Sequence, residues 1–192
     1  WNGTAWTELG DVNSARRSGG GAGTSTAALL YGGIISSNSA LNESWNGTSW
    51  TEVGDLNTAR RDIGSFGTST AALCFSGNVA PPTTSALNES WNGTAWTEVG
   101  DLNTGALGRK GSGTSTDGIA FGGETTAKIA VTEEWNGNNW IEVADLSTAR
   151  AKPGPSTGTT TAGFAAGGDS GTVSVATEEW GPGTTVKTVD TD

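Results

Sequence analysis

The sequence has no histidine and no methionine among its 192 residues, and it has a single cysteine. The lack of histidine excludes imidazole acid–base catalysis, Ser-His and Cys-His dyads and the usual zinc and copper sites. One cysteine cannot form a disulfide within the chain. Because Cys74 lies in an apolar run with Leu73 and Phe75, we expect a buried hydrophobic residue there. The missing methionine leads us to expect a processed chain or part of a longer one.

Basic residues are scarce as well. The chain has 10 Lys and Arg against 20 Asp and Glu, a formal net charge of −10. Phosphate backbones and anionic lipid surfaces attract positive surfaces, so we expect no nucleic acid partner. No run approaches the ~18 apolar residues that indicate a membrane helix, and we expect no membrane insertion.

What the sequence does have is a repeat. WNGTAW at Trp1 returns as WNGTSW at Trp45, WNGTAW at Trp91 and WNGNNW at Trp135, and a degraded copy begins at Trp180. The period of about 45 residues is typical of solenoids, propellers and arrays. Although 31 glycines could indicate disorder, nine regularly spaced tryptophans argue for a packed fold, because each can bury a large apolar area.

Each copy of the motif predicts a hairpin. Asn46-Gly47 lies between two alternating runs, the pattern that favours a two-residue type I′ turn. This turn would place Trp45 opposite Thr48 and Glu43 opposite Trp50. The two tryptophans would then be diagonal neighbours on one face, close enough for their rings to touch.

The remainder of the unit predicts two more short strands, near residues 62–67 and 70–75. No stretch has helical periodicity, so the sequence predicts an all-β protein with four strands per unit. A four-stranded sheet of this composition cannot bury both faces alone. We therefore expect the units to stack around an axis as a β-propeller.

The repeat resembles the Kelch family. The resemblance rests on an arginine before the inner strand (Arg16), an apolar strand ending in Gly32-Gly33, Glu43-Ser44-Trp45-Asn46-Gly47, and Trp50. It recurs with Arg60 and Trp96, and with Arg150 and the Gly167-Gly168 pair. The chain departs from the pattern where Ser76 replaces the first glycine, and in the third copy, where Arg109 is the candidate substitute for the arginine.

Together with four copies of the first three strands, which end at Trp45, Trp91, Trp135 and Trp180, this resemblance predicts a four-bladed β-propeller of Kelch-like, four-stranded blades. It assigns structural roles to Trp6, Trp45, Trp50, Trp91, Trp96, Trp135, Trp140, Arg16, Arg60 and Arg150. The wording of the copies is also similar to Kelch-like proteins of environmental bacteriophages, which suggests a virion or extracellular location.

We expect one domain over residues 1–192, with units near 1–44, 45–90, 91–134 and 135–179 and a C-terminal strand or tail at 180–192. The N-terminal strand Thr4–Leu9 has no third strand of its own. We expect it to close the ring by pairing with the segment Thr172–Glu179, giving a monomer. A weaker strand, Thr184–Val189, competes for that place. A strand-swapped oligomer and a four-blade fragment of a larger propeller are the alternatives.

The carboxylates recur in equivalent positions. A glycosidase needs two carboxylates in unlike environments, whereas repeated residues have like environments. We therefore expect pairing with the arginines or solvation, no catalytic residue, no metal and no cofactor. The expected function is a non-catalytic binding or structural module, with a carbohydrate-binding propeller as the alternative.

Variation between copies is concentrated in the loops from the second to the third strand, which read IISSNS, NVAPPTT, ETTAKI and DSGTVSV. Loops on one rim of a rigid scaffold commonly carry binding. A protein or glycan ligand is therefore expected at this rim, with candidate contacts at Asn38, Asn78, Glu124 and Asp169.

Overall fold

The structure is a computed structural model, and it describes residues 3–80, 83–154, 157–181 and 187–188. The described residues form antiparallel sheets and no helix, so the predicted all-β class is confirmed. None of them belongs to a helix long and apolar enough to cross a membrane.

Four sheets of four strands follow one another along the chain. Sheet I contains β1 (Gly20–Thr24), β2 (Ala27–Tyr31), β3 (Asn42–Trp45) and β4 (Trp50–Val53). Sheet II contains β5 (Gly64–Gly67), β6 (Ala72–Phe75), β9 (Asn88–Trp91) and β10 (Trp96–Val99), and a short pair, β7 (Asn78–Ala80) with β8 (Thr83–Thr84), lies in its second loop. Sheet III contains β11 (Lys110–Thr114), β12 (Asp117–Phe121), β13 (Thr132–Trp135) and β14 (Trp140–Glu142). Sheet IV contains β15 (Thr157–Thr159), β16 (Ala162–Ala166), β17 (Thr177–Trp180) and β18 (Lys187–Thr188).

The first strand of each sheet is small because neighbouring aromatic rings approach its backbone. A Cβ atom added to Gly64 would overlap the ring of Phe75, and one added to Gly111 would lie 2.9 Å from the same ring. The first strands contact each other in order, β1 with β5, β5 with β11 and β11 with β15. Together they line a cavity of about 250 Å³, with residues of all four strands in its wall.

The predicted register of the hairpin is wrong. Trp45 lies directly opposite Trp50, and Glu43 opposite Glu52, so four residues and not two form the loop. The reason is the Asn46 side chain, whose Oδ1 accepts the backbone N–H groups of Thr48 and Ser49, both at 2.9 Å. These hydrogen bonds stabilise a four-residue turn in which only Gly47 has a positive φ, of 93°. The ring contact itself is present, with centroids 5.4 Å apart.

The predicted closure by the N-terminal strand is also not found. Residues 4–9 form no strand, and the edge of β17 is paired instead with β18, through Glu178 with Thr188 and Glu179 with Lys187. The C-terminal segment thus supplies the fourth strand of sheet IV. Trp6, expected to be structural, is 84% exposed as a result. The remaining residues of the predicted strand Thr184–Val189 lie outside those that the structure describes.

Packing between sheets weakens toward the C-terminus. Between sheets I and II the buried cluster includes Tyr31, Ile63, Trp91 and Trp96, and between sheets II and III it includes Phe75 and Trp140. Between sheets III and IV, the described residues that are buried together are Ile119, Phe121 and Ala165, with Leu146 and Trp180 packed against them. The core is therefore a series of interfaces between sheets, and among the described residues the last is the smallest.

Candidate functional site

Four buried arginines each bind a glutamate on the third strand of the following sheet. Each pair takes an arginine from the segment before a sheet and a glutamate whose side chain is at most 4% exposed. The pairs are Arg16 with Glu43, Arg60 with Glu89, Arg109 with Glu133, and Arg150 with Glu178. The predicted pairing of Arg16, Arg60 and Arg150 with carboxylates is therefore present, and the partners are the glutamates of the third strands.

Arg109 takes the place of the missing arginine of the third copy. It comes from a different position in its linker, and its Nη1 donates to Glu133 Oε1 at 2.6 Å and to the carbonyl of Thr104 at 3.0 Å. Burial lowers its pKa, and the nearby Glu133 carboxylate opposes that shift. The third-strand glutamate of sheet III is thus paired with an arginine, although that arginine lies later in its linker than Arg16, Arg60 and Arg150 do in theirs.

The linkers use these carboxylates to join one sheet to the next. Asn57 donates its backbone N–H to Glu89 Oε2 at 2.7 Å and its side-chain amide to the carbonyl of Trp96 at 3.0 Å. Two residues earlier, Asp55 Oδ1 accepts the N–H of Asn42, on the preceding sheet, at 3.1 Å. Asn13, Asn103 and Ser147 are the equivalents that donate to Glu43, Glu133 and Glu178. The sequence signal for these residues is the recurring Asp-x-Asn/Ser pattern of the linkers.

The tryptophans divide into two structural roles. The third-strand rings donate through their indole N–H to the carbonyl of a residue between the first two strands of the same sheet, as Trp45 does to Ser25 at 3.0 Å. The fourth-strand rings of sheets II and III pack on the preceding sheet, Trp96 against Tyr31 at 4.7 Å and Trp140 against Phe75 at 5.3 Å. Five of the predicted structural tryptophans are buried, namely Trp45, Trp91, Trp96, Trp135 and Trp140. Trp50 is half-buried.

The equivalent place between sheets III and IV is a groove. Phe121, Leu146, Phe164 and Trp180 are among the residues that line it. Phe121 is at the end of the second strand, as are Tyr31 and Phe75, yet β18 contributes Lys187 and Thr188 where the other sheets have a tryptophan-bearing strand. Phe164 is 41% exposed here.

The variable loops and the linkers meet on one rim. Backbone bridges join Arg17 to Ile34, Arg61 to Asn78, Leu107 to Glu124 and Ala151 to Asp169. We call these linkers and loops the variable rim. Its apolar tips are solvent-facing, with Ile35 50% and Val173 91% exposed. The Asn-Gly turns lie at the other ends of the strands, where Gly47 approaches Thr26.

The four predicted rim contacts do not have one environment. Asn38 donates through Nδ2 to the carbonyls of Asn78 and Val79, both at 2.8 Å, so it connects two neighbouring loops. Asn78 is buried, with 3% exposure. Glu124 and Asp169 both bind Lys128 Nζ, at 2.7 and 3.0 Å.

Hydrogen bonds shift two of these rim groups. The pKa of Asp169 is lowered by its bond from Lys128 and by the backbone N–H of Gly171, and the pKa of Lys128 is raised by its bonds to Glu124 and Asp169. The structure therefore brings Glu124 and Asp169 together, whereas Asn38 and Asn78 form a separate structural contact. Among the described residues, no group of three or more Cys, Asp or Glu side chains is arranged to hold a metal ion.

Neither the comparison with protein-family models nor the comparison with curated proteins finds a match for the chain.

Proposed function

We propose that the four sheets are the blades of a four-bladed, Kelch-type β-propeller, and that the chain is a non-catalytic binding or structural module, of a virion-associated or adhesive kind, that presents its variable rim to a protein or glycan. Two contacts support the propeller. The first strands of successive sheets touch in order, and residues of all four line one cavity. Kelch-like blades are further supported by the arginine, glycine and tryptophan positions that recur in the units.

The single observation that carries the function is the contrast between the two ends of the sheets. The Asn-Gly turns repeat with the same hydrogen bonds, at Asn46, Asn92 and Asn136. The loops of the variable rim differ in sequence while their backbone bridges to the linkers are kept. A fixed frame with changeable loops, including exposed Ile35 and Val173, is what a recognition surface requires.

The test is a binding screen of the intact chain on arrays of glycans and of peptides. The rim variant Ile35→Ser/Val173→Ser should lose the ligands that the wild type retains. Asn138→Ser, on an exposed turn away from the rim, is the matched control and should keep them. The proposal fails if the wild type binds no array member, if the control loses binding equally, or if mass spectrometry detects turnover of a bound ligand.

A second candidate function is a strand-swapped assembly subunit, and a specific observation favours it. The groove between sheets III and IV is lined by Phe121, in the position that Tyr31 and Phe75 have at the two tryptophan-filled interfaces. Trp6 is 84% exposed, and its segment has the same Trp-Thr-Glu order as β4 and β10. The segment 4–9 of a second copy, added to sheet IV in place of β18, would put Trp6 into this groove.

Cross-linking distinguishes this candidate from closure within one chain. In a Cys74→Ala background, a mixture of Trp6→Cys chains and Phe164→Cys chains should form a disulfide-linked species of twice the chain mass. Sedimentation of the wild type should then show concentration-dependent association that Trp6→Ala weakens. A disulfide formed only at monomer mass, in a chain carrying both cysteines, would rule the swapped assembly out.

A further inference from the structure

Positive charge is concentrated on the variable rim. Of the basic side chains that the structure describes, the four buried arginines are used in their glutamate pairs. The others lie on this rim: Arg17, Arg61, Lys110, Lys128 and Lys152. The linkers and loops of this rim also carry carboxylates, among them Asp55, Asp62, Glu124 and Asp169, in a chain with a net charge of −10.

The backbone gathers four of these residues at one end of the central cavity. Asp62 N–H donates to the carbonyl of Ser18 at 2.9 Å, Gly108 N–H to Asp62 at 2.7 Å, and Lys152 N–H to Gly108 at 2.8 Å. This series connects the linkers of all four sheets. Lys110 begins β11, and the next residue, Gly111, lines the cavity. We call Arg17, Arg61, Lys110 and Lys152 the cationic mouth.

The series also holds the chain in a costly conformation. Ser18, Asp62 and Lys152 have φ values of 59°, 51° and 48°, in the left-handed region that residues other than glycine rarely adopt. Such residues cluster where local geometry is needed for a function. The repeated geometry is thus consistent with a site at this end of the cavity.

Charge at the cationic mouth is incompletely balanced. Asp62 is the carboxylate that the structure places there, with Oδ2 3.5 Å from Arg61 Nε and Oδ1 3.4 Å from Lys152 Nζ. Both separations exceed the length of a strong charge-assisted hydrogen bond, so neither pair is a tight one. Lys110 is half-buried beside them, and burial, with repulsion from Lys152, lowers its pKa while Asp62 opposes the shift. Arg61, Lys110 and Lys152 thus surround Asp62, and Asp169 is a second carboxylate near Lys152.

The central cavity begins one residue beyond Lys110, at Gly111. The cavity volume of about 250 Å³ far exceeds that of one water, which occupies about 30 Å³ in the liquid.

We propose that the cationic mouth binds an oxyanion, a sulfate or phosphate group that is either free or carried by a larger ligand. Two or more basic side chains would surround the group, and the adjoining cavity would admit it. This inference rests on the proposed function, since it names the chemistry that the variable rim recognises.

The experiment is calorimetric titration of the intact chain with sodium sulfate and with inorganic phosphate at low ionic strength, using sodium chloride of matched ionic strength as the blank. Lys110→Gln and Lys152→Gln should each weaken binding about tenfold, because each removes a charge within a few ångströms of the anion. Asp62→Asn should tighten it several-fold, because it removes the opposing carboxylate. Lys128→Gln removes the same charge from the same rim outside the mouth, and should change the affinity by less than about twofold.

A sulfated and an unsulfated form of one oligosaccharide identify the source of the anion. Stronger binding of the sulfated form than of free sulfate assigns the group to a larger ligand, and the reverse order assigns it to the free ion. The proposal is overturned if neither sulfate nor phosphate binds, if Asp62→Asn does not tighten binding, or if Lys128→Gln weakens it as much as Lys110→Gln. Because the array screen uses apolar rim variants that keep the cationic mouth, failure of one proposal is separable from failure of the other.

Discussion

Single residues in this molecule are constrained mainly by buried charge. Each arginine–glutamate pair takes two charges out of water, and further hydrogen bonds of the guanidinium group offset part of the cost, although its Nε has no partner among the described residues. Arg60, for example, donates to the carbonyls of Leu87 and Cys74, at 2.6 and 3.1 Å, and to Glu89. Removing one member of the pair should therefore cost more than removing both.

Arg60→Met should lower the free energy of unfolding by about 3–5 kcal/mol, because Glu89 is left buried without its partner. The double variant Arg60→Met/Glu89→Leu should recover most of this loss. Urea denaturation measures both, with Arg61→Met, a partly exposed neighbour, as the control expected to change stability by less than about 0.5 kcal/mol. A single variant as stable as the control would show that the pair does not hold the sheet to its linker.

Cys74 gives a pH dependence. Burial raises the pKa of its thiol from 9.0 to about 11, so the folded state keeps the proton that the unfolded chain releases. The stability from this group is complete below pH 9 and is lost as the pH rises to about 11, by roughly 2–3 kcal/mol at ~1.4 kcal/mol per pKa unit.

The measurement is chemical denaturation at several pH values from 8 to about 11. Cys74→Ala is the matched control, since Ala120 and Ala165 occupy equivalent positions, and it should lose the cysteine part of the decline. Equal declines in the two proteins would refute the assignment. Fast reaction of the native thiol with a disulfide reagent near pH 8 would contradict its burial as well.

At the scale of elements, the sequence predicted the strands and their number in each unit, because strands and loops alternate with the repeated tryptophans as markers. It did not predict the hairpin register, since Asn-Gly suits both a two-residue and a four-residue loop. The choice depends on the hydrogen bonds of the Asn46 side chain. Nor could it choose the fourth strand of sheet IV, because two segments with outer-strand patterns compete for one edge.

The candidate site was predicted in outline only. The up-and-down order of the strands is enough to place the variable loops beside the linkers. The separation of Asn38 from Asp169, and the gathering of Lys110 and Lys152 near Asp62, depend on tertiary contacts between units. No local pattern records such contacts.

Packing between elements should make equivalent tryptophans unequal. Trp140 is 5% exposed and its ring lies 5.3 Å from Phe75 and 6.4 Å from Phe66 on the preceding sheet. Trp50 is half-buried, and its recorded ring contact is with Trp45 of its own sheet. Trp140→Ala should therefore destabilise by about 3–5 kcal/mol, and Trp50→Ala by about 1–2 kcal/mol. Thermal and urea denaturation of the two variants would show the difference, and equal losses would mean that packing between sheets is not what stabilises the fold.

In the whole molecule, successive sheets contact each other through their first strands, β1 with β5, β5 with β11 and β11 with β15. In such a series, stability is close to a sum of terms for each unit and each interface, and a unit with a weak interface opens first. Sheet II has a large apolar interface on both sides, whereas sheet IV is joined to sheet III by the three buried residues of its small cluster. The local free energy of opening should therefore fall toward sheet IV.

Native-state hydrogen exchange measures this gradient. Amides of β6 and β9 should exchange slowest, near the global unfolding limit, and those of β16 and β17 should exchange at least tenfold faster, since each 1.4 kcal/mol of local stability is a factor of ten. The large-to-small variant Phe121→Ala should accelerate exchange in β16 and β17 more than in β6, because Phe121 belongs to the interface between sheets III and IV. Uniform protection across the four sheets would instead require a contact at sheet IV that adds to the small apolar cluster between sheets III and IV. The segment 4–9, with Trp6 in the groove, would be the first place to look for it.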